Sequence, residues 1–318
     1  MHHIRASALI NQNQIRMKNW SGNNRARFHD YASKCIYHIT MLKAKEAPAF
    51  GRLAGDFRIP VGSPGSSYIA ASPTGRAVKQ ALRLISDLHP ALKLFQYALM
   101  PDHLHMVIAA TDRLDEAIGR KLARFKFKAA ELAQTSRIFE LGFNDQIIYN
   151  SRSLDTIYKY LRENPYRLAV RRAFPQYFSK INSITIGNIQ LNAYGNMHLL
   201  NNPFKEQVVI HRADSAAVKD ANRNKWMHVV ANGGVLVSPF ISKEEKEIRK
   251  KAEEIDGRII LISNEILGER QKPSGNDFAR CAGGNLLILT PTNPPISPSL
   301  SRADCLAMNK LAGMISQS

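Results

Sequence analysis

The stretch that decides the fold of the first half of the chain is residues 92–110, LKLFQYALMPDHLHMVIAA. Two apolar runs, Leu92–Leu99 and His103–Ala110, flank a Met-Pro-Asp segment that is typical of a turn. The pattern predicts a β-hairpin. Because successive side chains of a strand point to opposite faces, His103 and His105 are predicted to project together, with the leucine between them turned into the core.

The segments on either side of this hairpin alternate between strands and helices. Cys35–Leu42 predicts a strand, and apolar residues at helical spacing predict a helix over residues 74–88. After the hairpin, the spacing predicts a long helix over 112–134 and another over 154–164, which Pro165 is expected to stop. This order predicts a small α+β domain with an antiparallel sheet.

The pattern changes in the second half of the chain. A polar, Asn-rich stretch at 181–203 predicts a linker. Beyond it, Ser242 followed by Glu245 predicts a capping box that opens a helix to about residue 255. Continuous apolar runs between helices predict a smaller α/β domain with a parallel sheet. The runs read as strands are residues 207–211, 226–230, 234–240, 258–263 and 285–290.

These patterns divide the chain into four parts. They are a basic arm at 1–29, the α+β domain at 30–180, the linker at 181–203, and the α/β domain at 204–318, to which the sequence assigns no chemistry.

The charge of the chain points to a polyanionic partner. Its 318 residues include 44 Lys and Arg against 26 Asp and Glu, a formal net charge of +18. Residues 1–200 hold 28 of these basic residues against 13 acidic ones, whereas residues 201–318 hold 16 against 13. A strongly basic domain most often faces nucleic acid.

Three further features indicate a cytoplasmic, intracellular protein. No apolar stretch is long enough for a membrane span, so no membrane partner is expected. The polar N-terminal segment lacks the apolar run of a secretion signal. The three cysteines are too few and too scattered for a disulfide framework.

Two elements carry candidate chemistry, and each by itself has an ordinary explanation. Two imidazoles on one strand face can hold a divalent metal ion, but an HxH pair also occurs as two surface histidines, and two ligands leave a metal site incomplete. On the helix predicted at 154–164, Tyr160 and Asn164 are four residues apart and share a face. A lone tyrosine on such a helix is usually a packing residue.

Together, the two elements resemble the HUH single-tyrosine transposases, and among them the REP-associated tyrosine transposases. The strand motif of that family, approximately M-P-x-H-x-H, is similar to MPDHLH at residues 100–105. The tyrosine-helix motif, approximately Y-I-x-x-N-P, is similar to YLRENP at residues 160–165. The similarity covers roughly residues 30–175 and implies a ferredoxin-like antiparallel sheet with helices, the HUH nuclease domain.

The resemblance implies a transposase-like enzyme that cleaves and rejoins single-stranded DNA, at hairpins formed by palindromes. It implies that Tyr160 forms a 5′-phosphotyrosine and that His103 and His105 hold Mg²⁺ or Mn²⁺. Asn164 lies where one branch of the family carries a Gln that completes the metal site, which makes it the expected third ligand. Because imidazole suits Mn²⁺ better than Mg²⁺, we expect Mn²⁺ to work at least as well.

Substrate binding is expected to rest on electrostatics and shape. Phe125 and Phe127 are expected in the core, although an exposed aromatic ring could stack on an unpaired base. Lys and Arg side chains on the 112–134 helix and near residue 170 are the expected phosphate contacts. These residues are Arg120, Lys121, Arg124, Lys128, Arg167, Arg171 and Arg172.

Two alternatives to the strand-transfer function stay open. The first is a non-catalytic nucleic-acid-binding protein on the same scaffold. The second is a metal-dependent hydrolase without a covalent intermediate, in which Tyr160 is structural. The resemblance also leaves open a monomer, in which Tyr160 reaches the His pair of its own chain, and a homodimer, in which the tyrosine helix acts in trans.

Overall fold

The structure is a computed structural model that describes Ala26 and residues 29–265, 272–292 and 300–317. The predicted arm at 1–29 lies outside the described residues except for Ala26 and His29. By its internal contacts, the chain divides into two compact units, Met1–Ala169 and Val170–Ser318.

The described residues form a mixed α+β structure. Its strands are β1 Cys35–Leu42, β2 Gly51–Ala54, β3 Tyr68–Ala71, β4 Leu92–Leu99, β5 His103–Ala110, β6 Asn144–Ile148, β7 Ser179–Ile186, β8 Ile189–Gly195, β9 Lys205–Gln207, β10 Val235–Ser238, β11 Arg258–Ile262 and β12 Leu286–Pro291. Its α-helices are α1 Pro73–Arg83, α2 Ile85–Leu88, α3 Ile118–Leu132, α4 Ser151–Ala173, α5 Ala216–Ala231, α6 Lys243–Glu254, α7 Gly275–Ala282 and α8 Arg302–Ser316.

The first unit is built on a four-stranded sheet in the order β4-β5-β1-β6. Each pair of neighbours in this sheet is antiparallel. The predicted strand at Cys35–Leu42 and the predicted hairpin of Leu92–Leu99 with His103–Ala110 are confirmed to the residue. A separate two-stranded pair, β2 with β3, accompanies this sheet.

The two faces of this sheet are covered by different helices. On one face, Leu104, Met106 and Ile108 of β5 pack into a cluster that includes residues of α1 and α3. On the other face, Val107 and Ala109 of β5 pack against Leu154, Ile157 and Leu161 of α4. The strand alternation therefore turns the remaining β5 residues of this second face, His103 and His105, toward the side that carries α4.

Helix α4 is longer than the sequence predicts, because it continues through Pro165 to Ala173. Asn150 caps the N-terminus of α4, because its side-chain oxygen accepts a hydrogen bond from the Ser153 backbone N–H at 2.8 Å. Proline lacks the N–H that would bond to the preceding turn, which is why the sequence predicts an end at this point. The prediction is wrong because buried residues on both sides of Pro165, including Leu161 and Ala169, hold the helix in place.

Helix α3 is shorter at its start than the predicted 112–134. The backbone N–H groups of Leu114 and Ile118 donate to the carbonyls of Ala32 and Tyr31, at 2.7 and 2.9 Å. Residues 112–117 are therefore fixed by contacts with the segment before β1, and the regular helix begins only at Ile118.

The second unit contains a six-stranded sheet in the order β7-β8-β12-β11-β10-β9. Strands β9 to β12 are mutually parallel, as predicted, and β8 and β7 extend the sheet in antiparallel fashion. Residues of α5, α6 and α7 pack on one face of the sheet, and residues of α8 pack on the other. The predicted capping box of Ser242 and Glu245 is present at the start of α6.

Two predictions for the second half are wrong. The predicted linker at 181–203 contains most of β7 and all of β8. The reason is that alternate residues of each strand, Ile184 and Ile186 in β7 and Leu191 and Ala193 in β8, pack into the core of this unit. The predicted strand at 226–230 lies inside α5. There, Trp226, Val229 and Val230 are buried at helical spacing, and Ser215 caps the start of the helix.

In the part of the chain that the structure describes, no helix combines the length and the low polarity that crossing a bilayer requires.

Candidate active site

The His pair lies as the strand alternation predicts. The rings of His103 and His105 are neighbours, with centroids 4.6 Å apart and planes nearly perpendicular. Leu104 between them is fully buried on the opposite face of the sheet. His105 is 7 % exposed, whereas His103 lies closer to solvent at the start of β5.

Each histidine of the pair has a hydrogen-bonding neighbour at Nδ1. The Nδ1 atom of His103 lies 2.6 Å from Oδ1 of Asp102. The Nδ1 atom of His105 lies 2.8 Å from Oγ1 of Thr40 and 3.2 Å from Nε2 of His38. These contacts leave the Nε2 atom of each ring of the pair as the nitrogen that can bind a metal ion.

No sequence motif points to His38 and Thr40. The signal was present, because β1 alternates buried apolar residues such as Tyr37 and Ile39 with His38 and Thr40. Alternation within β1 alone does not show that β5 is the neighbouring strand. The pairing of Thr40 with His105 across the two strands supplies that information.

Tyr160 lies on the face of α4 that is turned to this histidine cluster. Its ring centroid is 5.6 Å from that of His105 and 6.4 Å from that of His38, both in edge-on arrangements. The apolar residues Ile157 and Leu161 pack α4 against the sheet and so fix the distance. The structure therefore places Tyr160 beside His105 of its own chain.

Asn164 and Arg167 follow Tyr160 on the same side of α4, one and two turns later. Both are almost fully buried, with 3 % and 4 % exposure. The guanidinium carbon of Arg167 lies 5.4 Å from the centroid of the Tyr160 ring. The Nδ2 atom of Asn164 is buried and has no hydrogen-bond partner among the described residues.

The buried imidazoles are neutral at physiological pH. Burial lowers the pKa of His105 to about 2, with smaller contributions in the same direction from His103 and His38. Burial also lowers the pKa of His38 to about 4, opposed by a hydrogen bond with the Gln146 side chain. Neutral imidazole is the form that binds metal ions.

The residues present fit a divalent cation only as part of a mixed ligand set. No group of three or more His, Cys, Asp and Glu side chains in the described part of the chain is arranged to hold a metal ion. Each of the two imidazoles has a neighbour at its Nδ1 atom, as metal-binding histidines usually do. A half-turn of the Asn164 amide would place its oxygen where the unpartnered Nδ2 lies, and an amide oxygen is a suitable ligand for Mg²⁺ or Mn²⁺.

The predicted phosphate contacts on α3 are mostly engaged with acidic residues. Lys121 is buried and lies 2.5 Å from Asp115 and 3.4 Å from Glu116. The structure therefore contradicts the prediction that Lys121 is an exposed phosphate contact. Arg124 is exposed but pairs with Glu116.

The remaining predicted contacts divide between the surface and the interior. Lys128 pairs with Glu131 at 2.8 Å, and Arg120 is exposed without an ion pair among the described residues. Arg167, another predicted phosphate contact, is not on the open surface but is buried beside Tyr160. In the second unit, Arg171 lies over the ring of Phe278 at 5.9 Å, and Arg172 is exposed.

The two phenylalanines of α3 have opposite environments. Phe125 is fully buried, as predicted. Phe127 is 72 % exposed, which contradicts the prediction that it lies in the core. The reason is its position in the helix, since the neighbouring residues Leu122, Phe125 and Ala129 form the buried side of α3.

The comparisons with known proteins find weak similarities. No family model matches the chain. A Haemophilus influenzae protein described as uncharacterized is 22% identical over 165 residues, which cover 44% of this chain and 86% of that protein.

The solved structures that match include proteins that process DNA. A REP-associated tyrosine transposase bound to a REP hairpin matches with a TM-score of 0.34 and 12% identity, over 45% of this chain and 74% of the other. The DNA processing protein A of Helicobacter pylori, described with a single-stranded DNA binding mode, matches with a TM-score of 0.32 and 19% identity, over 44% and 66% of the two chains.

A further match is a putative transposase of Deinococcus radiodurans, with a TM-score of 0.25 and 17% identity, over 44% of this chain and 96% of the other. TM-scores of this size do not establish a shared fold. The functional assignment of this chain therefore depends on its own residues and their geometry.

Proposed function

We propose that the chain is a tyrosine-dependent enzyme that nicks and rejoins single-stranded DNA. The observation that carries the proposal is the position of Tyr160, whose ring lies 5.6 Å from that of His105 in the same chain. Tyrosine and histidine meet here across two separate elements, β5 and α4. The motifs at residues 100–105 and 160–165 are the two parts of the chain that form this contact.

The nucleophile of the proposed reaction is the Tyr160 hydroxyl. Its oxygen bonds to the phosphorus of the scissile phosphodiester, the bond from phosphorus to the 3′-oxygen breaks, and the DNA 5′ end stays attached to the tyrosine. The phenolic proton leaves to a base or to water, and the released 3′-oxygen takes up a proton. Attack by a new 3′-OH reverses these steps and rejoins a strand without ATP.

We propose that His103 and His105 hold Mg²⁺ or Mn²⁺ through their Nε2 atoms and that Asn164 supplies an amide oxygen. A bound divalent cation provides Lewis-acid stabilisation of the scissile phosphate. The chain itself keeps both imidazoles oriented, through Asp102 on one ring and Thr40 with His38 on the other. Water, and DNA phosphate once DNA is bound, would fill the coordination positions that the two imidazoles and the amide leave open.

Arg167 supplies positive charge at the tyrosine. Its guanidinium lies over the Tyr160 ring in a buried setting, where electrostatic interactions are stronger than in water. A cation in that position stabilises the negative charge that develops on the phosphate oxygens as the new bond forms. We therefore assign Arg167 to the reaction and not to surface binding.

The strand order supports the same assignment at the level of the fold. The elements that form the first four-stranded sheet and its α1–α3 face follow the chain order β1, α1, β4, β5, α3, β6, apart from the separate β2–β3 pair and the short α2. The sheet order is β4-β5-β1-β6, with antiparallel neighbours throughout. We propose that this is the ferredoxin-like arrangement of the HUH nucleases. The proposed substrate is hairpin-bearing single-stranded DNA.

The test is incubation of the protein with Mn²⁺ and end-labelled hairpin-bearing single-stranded DNA from the flanks of its own gene, followed by a denaturing gel. We expect a labelled band that migrates with the protein and disappears in Tyr160→Phe. The matched control is Tyr158→Phe, because Tyr158 is a half-buried tyrosine of the same helix that the proposal leaves out of the reaction.

The other outcomes of this assay assign the protein to the alternatives. Cleavage without a protein adduct, unchanged in Tyr160→Phe, would indicate a metal-dependent hydrolase. Tight DNA binding without cleavage would indicate a binding protein. An adduct that persists in Tyr160→Phe but not in Tyr158→Phe would overturn the assignment of the nucleophile.

A further inference from the structure

Thr40 and His38 of β1 contact His105 of β5 on the side of its ring that faces away from the proposed metal ion. Strand β1 pairs with β5 so that Thr40 stands directly opposite His105. His38 lies two residues earlier in β1 and therefore projects from the same face. Directly opposed side chains of antiparallel strands are close enough to interact, so the backbone pairing itself holds this group together.

Two atoms converge on one nitrogen of His105. Its Nδ1 atom lies 2.8 Å from Oγ1 of Thr40 and 3.2 Å from Nε2 of His38. A neutral imidazole carries its proton on one ring nitrogen and a lone pair on the other. If Nε2 binds a cation, the proton must be on Nδ1, and both neighbours can then act only as acceptors of that proton.

We propose that His38 and Thr40 are positioning residues for His105: they accept the hydrogen bond from its Nδ1 and so direct the lone pair of Nε2 to the cation. This inference rests on the proposed function, in which His105 is a metal ligand. In this arrangement the Nε2 atom of His38 does not share a cation with the Nε2 atom of His105, because it faces the Nδ1 side of the His105 ring.

The Nδ1 atoms of the two histidines have different hydrogen-bonding neighbours, and the difference in burial explains why. The more exposed His103 has a carboxylate neighbour, Asp102, whose side chain is largely in water. The buried His105 has a hydroxyl and an imidazole instead. A buried carboxylate would lose much of its hydration, whereas uncharged acceptors lose far less.

The test compares two double variants of the full chain by calorimetric titration with Mn²⁺ in the absence of DNA. Thr40→Val with His38→Leu removes both acceptors at nearly constant volume. We expect it to weaken Mn²⁺ binding by about 10- to 100-fold, the usual effect of removing the hydrogen-bond partner of a metal-binding imidazole. Thr40→Ser with His38→Gln keeps both acceptors, and its Mn²⁺ affinity should stay close to that of the wild-type protein.

The outcomes separate this inference from the function on which it rests. Equal Mn²⁺ affinity in the wild type and in Thr40→Val with His38→Leu would overturn the positioning role while leaving the metal site intact. Equal losses in both double variants would also overturn it, because they would indicate a packing role. Absence of Mn²⁺ binding in the wild-type protein, as in His105→Ala, would overturn the metal site itself and this inference with it.

Discussion

Tyr160 has two kinds of neighbour, the imidazoles of the sheet and the guanidinium of Arg167. The imidazoles are neutral because burial lowers the pKa values of His105 and His38. The permanent positive charge beside the tyrosine therefore comes from Arg167. In the proposed reaction, the two sides of Tyr160 would have different tasks, metal binding at the imidazoles and charge stabilisation at Arg167.

The role of Arg167 leads to a prediction at the residue scale. We expect Arg167→Gln to lower the cleavage rate at saturating DNA by about a hundredfold, the usual effect of removing one group that stabilises the transition state. The matched control is Arg172→Gln, which removes an exposed arginine five residues later in the same helix. Single-turnover kinetics of both variants would check it, and equal rates in both would contradict the assignment.

Among the elements, α3 shows how far a count of basic residues can mislead. The sequence places several Lys and Arg on this helix, but the structure pairs Lys121, Arg124 and Lys128 with acidic side chains. The acidic partners come from the segment before the helix and from its own last turn. Pairing of this kind depends on tertiary placement and cannot be read from charge alone.

The adjacent residues Arg120 and Lys121 provide the matching prediction at the scale of the helix. We expect Lys121→Gln to lower the free energy of unfolding by roughly 1–3 kcal/mol, because it leaves acidic partners without their buried cation, and to leave DNA affinity unchanged. Arg120→Gln should leave the free energy of unfolding unchanged and weaken DNA binding at low salt. Chemical denaturation measures the unfolding free energy of both variants, and a DNA titration measures their affinity for DNA. Weaker DNA binding in Lys121→Gln alone would show that Lys121 contacts DNA.

The elements also show what the sequence can predict. A strand-like run predicted β1, two apolar runs around a Met-Pro-Asp turn predicted the hairpin of β4 with β5, and the capping signature predicted the start of α6. Local rules failed where packing outweighed them, as in the continuation of α4 past Pro165 and the helical state of Trp226. They also failed at 181–203, where polar residues alternate with apolar ones that pack into a sheet.

The candidate site was predictable to a similar degree. The spacing of His103 with His105 and of Tyr160 with Asn164 gave the same-face relations inside each element. What brings the elements together is the pairing of β1 with β5 and the packing of α4 on their common face, and neither is encoded in a local motif. Only this strand pairing shows that His38 lies beside His105.

For the whole molecule, the structure favours a site assembled within one chain. Tyr160 lies beside His105 and His38 of its own chain. We therefore expect a mixture of Tyr160→Phe and His105→Ala chains to form no covalent adduct with labelled DNA, while the wild-type protein forms one in the same conditions. An adduct in the mixture would show that the tyrosine acts in trans between two copies.

The most direct test of the central claim is to identify the residue that becomes attached to DNA. The wild-type protein is incubated with Mn²⁺ and hairpin-bearing single-stranded DNA, the DNA is trimmed with nuclease, and the tryptic peptides are analysed by mass spectrometry. We expect a nucleotide attached to Tyr160, with the attachment lost in His105→Ala. Attachment to another residue, or cleavage with no attached nucleotide, would contradict it.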